Sequence, residues 1–386
     1  GAGGWGRRGA GAAARAGAGA GGVGPSGPSG RAAALPRAAA TEAPPQQEGL
    51  RFPGDLLGVQ LREVRIEALR APVQREVQEV QESLRDVVGK RHPMMLAAAE
   101  QIFGAGGKRV RPLICLLVAR ATQPAGQPLD AKHSRLAMIS EMIHTASLVH
   151  DDVLDEAELR RGETTVHGKF GTRVAVLAGD FLFAQSSWFL ANLENMEVIK
   201  LISQVIADFA DGEISQASAL FNTDLSVQDY LEKSHYKTAS LIAASCRSSA
   251  VFSGCSDVEK EAMYEYGKRL GLAFQVVDDI LDFTQSTEQL GKPQGQDLAT
   301  GNLTAPSIYA MSKSPELVGL VKGRFKGDGD LERALEIVKQ EKGIEAAMML
   351  AQGEGLAAKR AIEWLPESDA KSALYMMVDY VLSRLS

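Results

Sequence analysis

Between Leu129 and Gly291 the chain contains no proline. Proline lacks the backbone N–H and its ring strikes the preceding turn, so its absence over such a length leaves long helices as the natural outcome. Farther on, Leu331, Ala334, Leu335 and Val338 recur at i, i+3, i+4 and i+7. That is the stripe of an amphipathic helix, with Asp330 as its expected N-cap and Gly343 as its expected stop. Strict alternation and Asn-Gly hairpin signals are scarce. The body, residues 74–386, is therefore expected to be all-α, a single-domain helical bundle near the largest size that one hydrophobic core sustains.

Two acidic words fall inside the helical stretch, Asp151-Asp152-Val153-Leu154-Asp155 and Asp278-Asp279-Ile280-Leu281-Asp282. At about 100° per residue, positions four apart lie about 40° from each other around the axis, so Asp151 with Asp155, and Asp278 with Asp282, share a face. Like charges about 4 Å apart repel by about 4 kcal/mol at a protein-like dielectric, so such claws need cations. Hard carboxylate oxygens that leave room for water and phosphate suit Mg²⁺. One isolated acidic word is as often a solvated patch. Two, each flanked by apolar residues that sink the helix, point to metal ligation by all six aspartates.

Cations stand apart from these claws. Gly106-Gly107-Lys108-Arg109-Val110-Arg111-Pro112 sets three on a short segment where glycine lets the backbone approach closely. Arg160 and Arg161 follow the first acidic word, and arginine grips phosphate with two parallel bonds. A basic run alone is usually a solvated face. Combined with metal claws, these grips suggest diphosphate substrates.

The same words resemble those of the trans-polyprenyl diphosphate synthases, from about Gln74 to Ser386. The resemblance extends to Asp211-Gly212-Glu213-Ile214-Ser215-Gln216, Lys237-Thr238, Phe274-Gln275-Val276-Val277 and Gly291-Lys292-Pro293. The segments around 97–107, 173–195 and 237–245 most resemble the plastid solanesyl branch of that family. The resemblance implies the isoprenoid synthase fold with a central cavity, a homodimer, and roughly two or three Mg²⁺ ions per site. It implies that an allylic diphosphate ionises and is attacked by isopentenyl diphosphate. Arg160, Lys237, Thr238, Gln275 and Lys292 would hold the allylic diphosphate; Lys108, Arg111, His144 and Arg161 would hold the isopentenyl diphosphate. His144, seven residues before Asp151, also lies about 20° from it around the helix. Members of the family that stop early carry an aromatic ring just before the first acidic word. Here stand Ala146 and Ser147, which implies an open tunnel and a long product, about C45, for a quinone side chain.

The first 41 residues hold five Arg and no Asp or Glu, and are dominated by Gly and Ala. Such a segment cannot bury enough apolar surface to order itself. We expect an organelle-targeting segment over 1–45 and a linker over 46–73, with the chloroplast as destination and the mitochondrion as alternative, although only Ser26 and Ser29 supply the usual serine. The chain opens on Gly1, so an earlier start is expected. Without those 41 residues, 37 Lys and Arg face 48 Asp and Glu, too acidic a body for a nucleic-acid binder. The apolar run Val174 to Leu190 is interrupted by Asp180 and Gln185-Ser186-Ser187 and falls short of a membrane span. Cys115, Cys246 and Cys255 have no metal-ligand spacing and are expected as reduced core thiols. Two rivals remain: a non-catalytic subunit of a heteromeric synthase, which would lose acidic words, and a terpene cyclase, which would lack the Lys108 to Arg111 grip.

Overall fold

The structure, a computed structural model, describes residues 64–87, 89, 92–104, 107–124, 126–160, 162–285 and 294–385. Arg161, Lys292 and the segment expected to carry the targeting signal lie outside the described residues. Those described belong to the compact unit Asp55–Ser386.

Eleven of its helices matter for the site: α1 Gln74–Asp86, α2 Pro93–Gly104, α3 Val110–Thr122, α4 Ala131–Leu154, α5 Thr172–Ala191, α6 Met196–Ser218, α7 Val227–Ser234, α8 Ser240–Phe252, α9 Asp257–Thr284, α10 Gly343–Ala361 and α11 Asp369–Leu382. Among the described residues the only sheet is a two-residue antiparallel pair, Leu159–Arg160 with Glu163–Thr164. Gly162, at φ +82, supplies its turn, a backbone conformation that glycine adopts without strain.

The proline-free stretch forms the two longest of the described helices. In α4 the Asp130 side chain accepts from Lys132 N and caps the start. In α9 a capping box between Ser256 and Glu259 does the same. Helix α9 packs between α8 and α10, and α4 packs against α3, α5 and α8. The α8–α9 contact is exceptionally close: a Cβ on Gly267 would lie 2.7 Å from Ala243 Cα, and one on Gly271 2.6 Å from Ala239 Cα.

Four expectations change. The stretch 46–73, read as linker, contains the helix Ile66–Arg70, and Leu69 and Val73 are fully buried in the main core, so the packed body reaches back to at least Ile66. Asp330 is the first helical residue of Asp330–Gln340 and receives Gly327 N, while Gly329 occupies the cap position. Gly343 opens α10 and does not end the preceding helix, because Lys342 makes the turn at φ +57 and a Cβ on Gly343 would strike Pro306 O at 2.2 Å. The apolar run near Val174 is part of the 20-residue α5, long and apolar enough by length and composition to cross a membrane, yet one face of it packs on α4. The three cysteines are free, with Cys115 and Cys246 buried.

Candidate active site

Both acidic words sit at helix C-termini. Asp151 to Leu154 form the last turn of α4 and Asp155 is its C-cap; Asp278 to Asp282 lie just before the end of α9 at Thr284. Negative charge is unfavourable at that end of the helix dipole. Aspartates placed there cost stability, which is the mark of residues kept for binding.

Around the first word, Arg160 Nε donates to Asp152 Oδ1 at 2.6 Å, the small hairpin bringing the guanidinium back over the helix end. Burial pushes the Asp151 carboxyl up to about 6; Lys237 opposes the rise, while Glu213 and Asp155 add to it. Desolvation also raises Asp155, which feels Lys237, Glu213, Arg160 and Asp297. His150 lies against α5 with Nε2 3.1 Å from Val176 O, in a space that exists because residue 179 is glycine; a Cβ there would meet the ring at 2.2 Å.

The three aspartates of the second word have separate partners. Asp278 Oδ1 is 2.6 Å from Arg384 Nη1, in the C-terminal turn. Asp279 is buried and has both oxygens engaged, Oδ2 by Tyr230 Oη at 2.5 Å and Oδ1 by Gln275 Nε2 at 2.8 Å. Burial and then the nearby Asp297 push its carboxyl up to about 7, against the hydrogen bonds of Tyr230 and Gln275 and the charge of Lys233. Asp282, also buried, accepts from Asp297 N at 3.2 Å.

The two words share a charged neighbour. Asp297 acts on both Asp155 and Asp279. Burial draws the Lys233 ammonium down, while Asp279 and Asp297 hold it up; Lys237 and Glu213 are also within its reach. Lys237 and Thr238 stand on a π-helical turn, His235–Ala239, between α7 and α8. Such turns re-aim side chains and recur at functional sites. Lys237 Nζ pairs with Glu213 Oε1 at 2.5 Å, and Thr238 Oγ1 donates to Gln275 Oε1 at 2.6 Å, continuing the chain to Asp279.

Lys108 and Arg111 flank the start of α3. Lys108 Nζ lies 5.1 Å over the Tyr380 ring and its carbonyl accepts from Arg70 Nη2 at 2.8 Å. His144 is half-buried on α4, and Ser147, one turn on, is half-buried too, its hydroxyl donating to His144 O. Ala146 faces elsewhere, fully buried in the main core.

Among the described residues no three Asp, Glu, His or Cys converge tightly enough to hold a metal ion alone. The donor set nevertheless fits Mg²⁺, which binds through one or two carboxylates with waters and substrate phosphates in place of an all-protein cage. Carboxyls raised to about 6 and about 7 by burial are those a cation would relieve.

The polyprenyl synthetase family pattern matches residues 92–338, spanning both acidic words. The chain belongs to the polyprenyl synthetase family. It is 55% identical over 324 residues to the chloroplastic solanesyl-diphosphate synthase 2 of Oryza sativa subsp. japonica, covering 83% of this chain and 80% of that one. A prenyl transferase of Synechocystis is 56% identical over 318 residues, 82% of this chain and 98% of the relative. The crystal structure of a decaprenyl diphosphate synthase from Rhodobacter capsulatus matches with a TM-score of 0.77 at 32% identity, covering 83% of this chain and 100% of that one. The all-α isoprenoid synthase fold expected from the sequence is thus established.

For this polyprenyl synthetase, sequence reading missed Tyr230, Lys233, Asp297 and Arg384 as neighbours of the acidic words. Tyr230 and Lys233 stand three apart on the one-face spacing of a capped helix, a weak local signal. Asp297 and Arg384 carry none, because chain folding alone brings them to α9.

Proposed function

We propose that the chain is a long-chain trans-polyprenyl diphosphate synthase making solanesyl (C45) diphosphate from isopentenyl diphosphate and a farnesyl or geranylgeranyl primer. The observation that carries this reading is the pair of acidic helix ends that meet at Asp297, with Lys237 beside the first word and Lys233 beside the second. The 55% identity to a chloroplastic solanesyl synthase supports the product and the plastid destination, and with them the targeting role of residues 1–45.

Asp151, Asp155 and Asp278 would hold Mg²⁺, roughly two or three ions in all, which when bound would supply Lewis-acid stabilisation of the charge that develops on the departing diphosphate. Asp152, Asp279 and Asp282, each bonded within the protein, act from behind as outer-shell acids. Arg160, Lys237, Thr238, Gln275 and Lys292 orient the allylic diphosphate and donate to it as its C–O bond breaks. Lys108, Arg111, His144 and Arg161 hold the isopentenyl diphosphate; only the allylic partner ionises, because only its cation is stabilised by resonance. The growing chain runs down α4 past Ser147 toward Leu136, Ile139 and Ile143, which pack with Leu190, Ile202 and Leu241 in a separate apolar cluster. An apolar surround excludes water from the allylic cation.

A homodimer is part of the reading. Val176, Leu177 and Trp188 on α5, with Met196 and Ile214 on α6, are large exposed apolar residues of the kind that a second copy covers. No structural observation favours a silent subunit. The test is incubation of the purified protein with Mg²⁺, labelled isopentenyl diphosphate and each primer, followed by product sizing. A C40 to C50 product is expected, and absence of elongation without a partner chain would overturn the reading.

A further inference from the structure

We propose that the buried ion pair between Arg109 and Glu141 is the positioning element of the isopentenyl diphosphate grip; this rests on the reading of Lys108, Arg111 and His144 given above. Arg109 lies between the two grip cations but turns inward. Its Nη1 bonds Glu141 Oε1 at 2.6 Å and its Nη2 donates to Phe103 O at 3.0 Å. The two side chains are only 11% and 6% exposed, so the guanidinium is committed to the protein and does not serve a phosphate.

The backbone carries the same message. Arg109 sits at φ +48 as the residue preceding α3, a left-handed conformation disfavoured for any residue with a Cβ. That bend separates Lys108, in the exposed loop, from Arg111, in the first turn of α3. The two side-chain bonds of Arg109 hold it. Glu141 stands on α4, three residues before His144 and ten before Asp151. The pair thus ties the junction of loop and α3, which bears the two cations on either side of Arg109, to the helix that bears the histidine and the first acidic word. Arg70 and Tyr380 secure Lys108 from its other side.

The experiment compares Glu141→Gln, Arg109→Lys and the double variant Arg109→Gln with Glu141→Gln. It measures isopentenyl diphosphate binding by calorimetry, KM for both substrates, and melting temperature. Glu141→Gln raises the isopentenyl Kd and KM about tenfold, because small misplacements of a binding group are costly, and leaves the allylic KM within about twofold. Arg109→Lys, which reaches Glu141 but not Phe103 O as well, falls between. The double variant buries no lone charge, so its melting temperature recovers while the isopentenyl Kd stays raised. An unchanged isopentenyl Kd in Glu141→Gln, recovery of Kd together with melting temperature in the double variant, or equal rises for both substrates would each overturn the proposal. If Glu141→Gln does not fold, Arg109→Lys and the double variant decide. Lys108→Ala and Arg111→Ala serve as controls: if they leave isopentenyl affinity intact, the reading of the grip falls, and the brace with it.

Discussion

Tyr230 donates its phenolic hydrogen to Asp279 Oδ2 across 2.5 Å, and both residues are buried. Tyr230→Phe keeps the ring but strips a buried carboxylate of one partner, a loss of about 1–3 kcal/mol. The hydrogen bond also holds the Asp279 carboxyl down, so without it the group rises beyond about 7. Denaturant unfolding should show the lower midpoint; an unchanged midpoint would mean that another group satisfies Asp279.

Gly271 lets α9 touch Ala239, at the junction of the π-helical turn and α8, and Asp278 stands two turns farther along the same helix. Gly271→Ala places a methyl where backbone already stands and costs about 1–3 kcal/mol of overpacking. Because the widened crossing also displaces the second acidic word, kcat should fall even at temperatures where the variant is fully folded. Steady-state assays beside circular dichroism at one temperature check this.

Ala146 and Ser147, alike in sequence, differ in place. Ser147 is half-buried one turn below Asp151, while Ala146 is sealed in the main core. Ser147→Phe is expected to shorten the product with little change in stability. Ala146→Phe should lower the melting temperature first, since a core packed to crystal density has no room for a ring. Product sizing and thermal melts on both variants separate the two effects.

Much of this was legible in the sequence because it is local. Proline-free runs, caps and the i, i+4 spacing of acids are properties of neighbouring residues, and helices α4 and α9 follow from them. What stayed hidden depends on distant chain segments meeting. Nothing near residue 109 says that the middle cation of a basic word turns inward to Glu141, and nothing in His-Tyr-Lys-Thr-Ala announces a π-helical turn. Asp279 reads like its neighbours in the second word, yet burial beside Tyr230 gives it a different task.

His133 lies buried between α4 and α8, its Nε2 3.3 Å from both Ser249 O and Ser253 Oγ. Burial lowers its pKa below the ordinary 6.5, and the bond to Ser249 offsets only part of this. The unfolded chain therefore takes up a proton more readily than the folded one, and His133 withdraws stability as pH falls below about 6.5. In His133→Gln this acid-side loss should flatten. Unfolding free energies from pH 7.5 down to 5, compared between the two proteins, test the sign; parallel curves would exclude His133 as the source.

Arg160 on Asp152, Lys237 on Glu213 and Arg384 on Asp278 mean that carboxylates around the two acidic words already have tenants from the same chain. A divalent ion at Asp278 would displace Arg384, and a diphosphate drawing Arg160, Lys237 or Arg384 to itself would leave their acids bare. Arriving together, each guest would take the partner the other sets free. On the function proposed above, filling this site would be an exchange of tenants, the chain's own ion pairs standing in for the metal and the diphosphate.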